Sequence, residues 1–171
     1  MEQISECADT KTLLLRIIEQ NAGIRYRELL RMTGLVNGVL TYHLAALEKS
    51  ERIRVDRVSR MTRYYPPQVS EKESSMLKHV RHEPIQKILM FIFENEHCTF
   101  NEIVANSQKA PSTISSHLKR LKDDGIITIR YGEYQLYKIA DREFFSDVLS
   151  KFRPGFVDMI VDNFANAVEE L

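Results

Sequence analysis

Leu40-Thr41-Tyr42-His43-Leu44-Ala45-Ala46-Leu47 is answered further along the chain by Ile114-Ser115-Ser116-His117-Leu118-Lys119-Arg120-Leu121. Upstream, Ile24-Arg25-Tyr26-Arg27-Glu28-Leu29-Leu30 lines up with Cys98-Thr99-Phe100-Asn101-Glu102-Ile103-Val104. The offset is 74 residues in both places (117 − 43 for the histidines, 102 − 28 for the glutamates), and it holds from Leu15/Leu89 to Ile53/Ile127. A shared offset over about forty positions marks two copies of one supersecondary unit. Leu40, Leu44 and Leu47 recur at i, i+4 and i+7, as do Ile114, Leu118 and Leu121, so each stretch is a helix with one buried stripe.

Working outward, residues 11–21 place Leu14, Leu15, Ile17 and Ile18 on one helical face, and Gly23 stops that helix. A short helix follows over 26–33, ended by Gly34, and Asn37 is the expected cap of the next helix, which runs to about Lys49. Residues 53–58 and 62–65 read as strands around the turn Ser59-Arg60-Met61, closed by Pro66-Pro67. The second copy repeats this plan. Its helix 84–95 begins with Pro84 at the first turn, and Thr99-x-x-Glu102 is a capping box. Pro111 opens a helix to about Asp124, Gly125 ends it, and strands 126–130 and 134–139 meet at Tyr131-Gly132-Glu133. The expected fold class is mainly α with small β-hairpin wings. The expected domains are 1–67, a polar linker 68–83 (partly helical in the alternative reading, since Met76, Leu77 and Val80 follow), 84–140, and a C-terminal helical segment 141–171.

Three helices and a two-stranded ribbon form the winged helix-turn-helix plan, whose third helix enters the DNA major groove. Thr41-Tyr42-His43-Leu44-x-x-Leu47 and Ser115-Ser116-His117-Leu118-x-x-Leu121, the latter continuing to Gly125-Ile126-Ile127, resemble the recognition-helix-to-wing signature of ArsR/MarR-type bacterial and archaeal regulators. The doubled arrangement over residues 10–140 resembles archaeal transcription regulators with tandem winged-helix domains. The first copy departs from the signature because Ser50-Glu51-Arg52 replaces the glycine turn, which puts its wing geometry in question.

With the leucines inward, Asn37, Gly38, Thr41 and Tyr42 fall on the outer face of the first recognition helix, and Ser112, Thr113, Ser115, Ser116 and Arg120 on that of the second. Short hydroxyl and amide side chains near a helix N-terminus suit base edges and phosphates. His43 and His117 have two readings, DNA contact or packing at the edge of the core. Arg54, Arg57, Arg60 and Arg63 cluster on the first wing without matching acids, which suits phosphate or minor-groove contact. The second wing offers Arg130 and Lys138 beside Glu133 and is the weaker reader, or else serves pairing or sensing.

The 171-residue chain has a formal net charge of zero, but that sum conceals a gradient. Residues 24–65 hold nine Lys/Arg against four Asp/Glu, residues 84–139 seven against six, and residues 140–171 three against seven. The first copy is therefore basic and the tail acidic, and it is the local field that steers a polyanion. The longest apolar run, Ile88–Phe93, is far short of a membrane span, and Glu2, Glu6 and Asp9 do not suit a secretory signal. Cys7 and Cys98 make neither a disulfide framework nor a paired metal motif, so the expected compartment is the reducing cytoplasm.

No catalytic set has the spacing a nucleophile, base or phosphate loop requires, so no enzyme and no cofactor are expected. His79, His82, His97 and Cys98 raise a metal-sensing alternative, but the paired cysteines of metal-sensing relatives are absent. In the tail, Asp141 caps a helix 141–151, and Phe156, Val157, Ile160, Val161, Phe164 and Val168 stripe a second helix at 156–170. Phe156, Ile160, Val161, Phe164 and Val168 are the expected homodimer contacts, the partners being a second copy of the chain and double-stranded DNA, with no membrane. The rival readings are a winged-helix protein–protein module of a transcription complex and a ligand- or metal-responsive sensor built on the second domain.

Overall fold

The computed structural model describes residues 2–58 and 61–152, with side chains from Thr10 onward. Arg60 and the five tail positions Phe156, Ile160, Val161, Phe164 and Val168 lie outside the described residues. The chain divides into two compact units, the second running from Ser75 to Lys151.

In the first unit α1 (Glu2–Gln20) is followed by β1 (Ile24–Arg25), α2 (Tyr26–Thr33), α3 (Asn37–Lys49), β2 (Arg54–Val58) and β3 (Met61–Tyr65). Gly23, at φ 83°, makes the left-handed turn out of α1. Its N–H donates to the Tyr64 carbonyl at 2.8 Å, and Ile24 then pairs with Tyr64 in an antiparallel ladder. The sheet order is β1-β3-β2. Strand β1 was not expected, because two residues are too few to show an alternating pattern. Leu14, Ile18, Ile24, Leu29, Leu40, Leu44, Leu47 and Ile53 form the core, joined by Ile17 and Tyr64.

The second unit repeats this order as α5 (Glu83–Glu94), β4 (Cys98–Thr99), α6 (Phe100–Ser107), α7 (Pro111–Asp123), β5 (Ile127–Arg130) and β6 (Leu136–Ile139), with sheet order β4-β6-β5. Eight core positions recur 74 residues on: Ile88, Ile92, Cys98, Ile103, Ile114, Leu118, Leu121 and Ile127 are all buried. Thr99 Oγ1 accepts from the Glu102 N–H at 3.4 Å while Glu102 Oε2 accepts from the Thr99 N–H at 2.7 Å, so the capping box is formed. The register Val55↔Tyr64 against Ile129↔Tyr137 shows the offset falling from 74 (129 − 55) to 73 (137 − 64) across the hairpin, so the second wing is one residue shorter.

Two expected boundaries are corrected. The segment 68–83 takes its partly helical alternative and is not a plain linker, since α4 (Glu71–Val80) fills most of it with Ser74, Met76, Leu77, His79 and Val80 buried, and the division between the units falls inside this helix. Residues 141–151 are not part of a separate segment either. The helix α8 (Arg142–Lys151), whose first turn Asp141 caps by accepting from the Phe144 N–H at 3.0 Å, belongs to the second unit. It buries Phe145, 5.1 Å from the Phe93 ring, and lays Arg142 over Phe93 at 4.4 Å. Apolar residues on both helices bury more surface in the unit than they would exposed on a linker, at about 25 cal/mol per Å². No helix among the described residues is long and apolar enough to cross a membrane.

The departure at Ser50-Glu51-Arg52 leaves the fold unchanged. Glu51 takes φ 55° where Gly125 takes φ 70°. Glu51 N–H bonds the Glu48 carbonyl and Arg52 N–H that of Leu47, just as Gly125 bonds Lys122 and Ile126 bonds Leu121. The same substitution runs the other way at Gln108, φ 53°, opposite Gly34, φ 65°.

Candidate nucleic-acid interface

Helix α3 begins with Val36 as its N-cap, φ −74° and ψ 150°, with no side-chain cap bond. Asn37 is thus the first helical residue rather than the cap, and its side chain is held elsewhere. The Tyr26 hydroxyl lies 3.1 Å from both the Asn37 carbonyl and its Oδ1, and 3.0 Å from Thr41 Oγ1. A phenol has one proton to donate and can accept another, so it donates to Asn37 and accepts from Thr41. Tyr26 therefore orients two residues of the outer face from the preceding helix. Sequence reasoning missed it because Phe100, its equivalent, carries no hydroxyl, and nothing in the repeat marks the position.

Tyr42 is 66% exposed and Gly38 is open, a Cβ there meeting nothing within 4 Å. Val39 of the same helix and its N-cap Val36, neither singled out from the sequence, are also exposed. His43 is only 6% exposed, edge-on to Tyr42 at 5.3 Å between rings, so the core reading holds for it and it leaves the outer face.

The wing arginines separate into three environments. Arg63 is buried, its Nη1 donating to the Gly23 carbonyl at 2.8 Å, so it locks β3 to the turn before β1 and is not a groove-facing residue. Arg54 is half-buried with its guanidinium 5.0 Å over the Tyr65 ring. Arg57 is exposed but has an acid after all. Its two guanidinium nitrogens grip Glu48 of α3 at 2.6 and 2.7 Å, which holds the Glu48 carboxyl below its usual range. A pair this exposed is worth little to stability and fixes the wing against the helix. The expectation that these arginines lack matching acids fails at Arg57 because Glu48 is nine residues away in sequence, in the last turn of α3.

In the second copy the equivalent positions carry different chemistry in the same place. Lys122, aligned with Glu48, donates to the hydroxyl of Tyr131, aligned with Arg57, at 3.1 Å, with its ammonium 5.7 Å over the ring. Ser112, Thr113, Ser115, Ser116 and Arg120 are all exposed on α7, as expected. His117 is half-buried, its ring 5.7 Å from His82, and burial, then the Arg120 charge, lower its pKa. At the end of α7, His79 Nε2 donates to Asp124 Oδ2 at 2.6 Å, with Lys78 Nζ 3.3 Å from the same oxygen.

The histidines of the metal alternative therefore go to separate tasks. His79 is bonded to Asp124, while His97 is exposed with Nδ1 2.8 Å from the Glu96 carbonyl. Cys98 is in the core, where burial pushes its thiol up. Among the described residues no group of three or more His, Cys, Asp and Glu side chains is placed to hold a metal ion.

One electrostatic feature sets α3 and α7 apart. Helices α2, α4, α5, α6 and α8 each carry an acid in the first turn: Glu28, Glu71 with Glu73, Glu83, Glu102 and Glu143. Helices α3 and α7 carry none there, and their first acids are Glu48 and Asp123 in the last turn. An acid in the first turn contributes roughly 0.3–1 kcal/mol against the helix dipole. Both third helices lack it, so no carboxylate of their own first turn offsets their positive ends.

Two family models match the chain. One described as an N-terminal HTH domain matches residues 8–77, and one described as bacterial regulatory protein, arsR family, matches residues 86–128. No curated protein matches. Among solved structures, HlyU from Vibrio cholerae is similar at 23% identity over 50% of this chain and 94% of its own, with a TM-score of 0.44. The homodimeric winged helix-turn-helix DNA-binding domain of Mb0332 from Mycobacterium bovis, described as a possible ArsR-family transcriptional regulator, is similar at 20% identity over 57% and 92%, with a TM-score of 0.35. A chain of the endosomal complex ESCRT-II is similar at 15% identity over 81% and 63%, with a TM-score of 0.34. With the helix order, the sheets and the two matched segments in agreement, the chain is a protein of two winged helix-turn-helix domains in tandem, the second matching the arsR family of regulatory proteins.

Proposed function

We propose that the chain is a sequence-specific transcription regulator that binds double-stranded DNA and acts by occupying a promoter site. The observation that carries this reading is the acid-free first turn of α3 and α7, where α2, α4, α5, α6 and α8 each carry a carboxylate. A phosphate backbone supplies the missing negative charge at both places, and the arsR match supports the same class of partner. Asn37, Thr41 and Tyr42 of α3 read base edges, and Ser112, Thr113, Ser116 and Arg120 of α7 assist. Arg57 and Arg60 reach phosphate from the wing, Arg57 exchanging Glu48 for it. The apolar stripe of 156–170 pairs two chains, which matches a two-fold target.

The test is retention of duplexes from a random pool by the full chain across a salt series. Binding falls with salt on a log–log slope of about 0.9 per phosphate contacted. Arg57→Glu with Arg60→Glu weakens every duplex alike, by about ten-fold at moderate salt, and lowers that slope by about 1 to 2. Unchanged affinity would remove the wing from the interface, and no retained duplex even in dilute buffer would end the reading.

A further inference from the structure

Val36, Val39 and Tyr42 are exposed at 69%, 40% and 66%. Val39 and Tyr42, spaced by three, share the outer face of the first turns of α3, and Val36 caps that helix in extended backbone just before it. Packing does not call for them there, since the second copy builds the same turn and helix with Ala110, Thr113 and Ser116 at the three equivalent positions. Nor does helix propensity, because valine is a weaker helix former than most polar residues and gains nothing by exposure. The three apolar side chains alternate with Asn37 and Thr41, both exposed, and Arg27 and Arg31 of α2 are exposed as well. No acid precedes Glu48 on the helix. Three side chains over less than two turns supply far less than the ~800 Å² each partner gives to a stable protein interface. In a major groove, the apolar group displayed at the base edges is the thymine 5-methyl.

We propose that Val36, Val39 and Tyr42 read thymine methyl groups, so that the first domain selects A·T steps that the hydroxyl-rich face of the second domain does not. This rests on the DNA-binding reading above. Each contacted methyl is buried against valine or the tyrosine ring, and Asn37, oriented by Tyr26, is placed to read the paired adenine edge.

The experiment uses the full chain and a duplex recovered from the random pool, resynthesised with deoxyuridine for thymidine at one position at a time. Deoxyuridine keeps every hydrogen-bonding group and removes only the methyl. Binding weakens about four-fold at each contacted step, the equivalent of one buried methylene-sized group. In the Val36→Ala, Val39→Ala chain the penalty at those steps drops below about two-fold. Should that chain fail to fold, Val39→Ser, which leaves no methyl to meet the base, shows the smaller penalty at one step. A wild-type chain that binds the thymidine and deoxyuridine duplexes equally overturns the proposal while leaving the DNA-binding reading intact. So does a valine variant that keeps the full penalty. DNA affinity untouched in the variant, with its mass by light scattering changed, assigns the face to a protein partner instead. Failure to recover any duplex removes the underlying reading.

Discussion

At His79 burial outweighs an ion-pair partner. The imidazole is 1% exposed, and although Asp124 favours its charged form, burial pushes its pKa down to about 4 from an ordinary 6.5, with Lys78 and Arg120 adding repulsion. The neutral ring donates to the carboxylate and ties α4 to the end of α7. Because the unfolded chain takes up the proton more readily than the folded one, the contribution is complete above about pH 6.5 and is lost as pH falls toward 4. Urea unfolding is expected to show about 2 kcal/mol less stability at pH 5 than at pH 7 from this group, a difference that His79→Gln removes. Equal pH dependence in both chains would mean that the ring is solvated. His43 and His117 make a related point at the same scale. They are one residue of one repeat, yet the first is buried and the second half-buried beside His82. That distinction depends on neighbours contributed by other segments, so the motif alone left both readings open.

Among the elements, the turn from α3 into the first wing shows how little the side chain matters when the backbone bonds are made. Glu51 holds a left-handed conformation that costs a residue with a Cβ roughly 1 kcal/mol, partly offset by the smaller entropy it loses on folding. Glu51→Gly is therefore expected to raise stability by about 0.5 kcal/mol, and Gly125→Ala to lower it by about 0.5 kcal/mol even though a Cβ there meets nothing within 4 Å. Urea midpoints measure both, and a destabilised Glu51→Gly chain would show that the glutamate side chain holds the turn. Helices α2, α3, α5, α6 and α7 and both hairpins were legible from periodicity, glycines, prolines and the Thr99/Glu102 box. Strands β1 and β4 were not, since each exists only because a later hairpin strand lies alongside. Helix α4 was half legible, because its polar first half, Glu71-Lys72-Glu73, reads as a linker while Met76, Leu77 and Val80 point to the helical alternative that the structure takes.

For the whole molecule, the 74-residue repeat predicts two units, and two are found. What the tail does belongs to this scale. If residues 156–170 join two chains, Ile160→Asp with Phe164→Asp halves the mass seen by light scattering while each domain still melts cooperatively, because two buried charges cost an apolar interface several kcal/mol. An unaltered mass would place that stripe within one chain. The architecture was determined locally: helix periods, caps and a repeated core pattern are properties of neighbours along the chain, and the buried pairs Leu40/Ile114, Leu44/Leu118 and Leu47/Leu121 bear them out. Which exposed groups remain available to a partner was decided only by tertiary contacts. Arg63 is spent on the Gly23 carbonyl, Arg57 is gripped by Glu48, and Tyr26 sets Asn37 and Thr41. Each of these bonds joins residues 9 to 40 positions apart. Charge and hydrogen bonding act through space at a few ångströms, and only the folded chain brings those residues within that range.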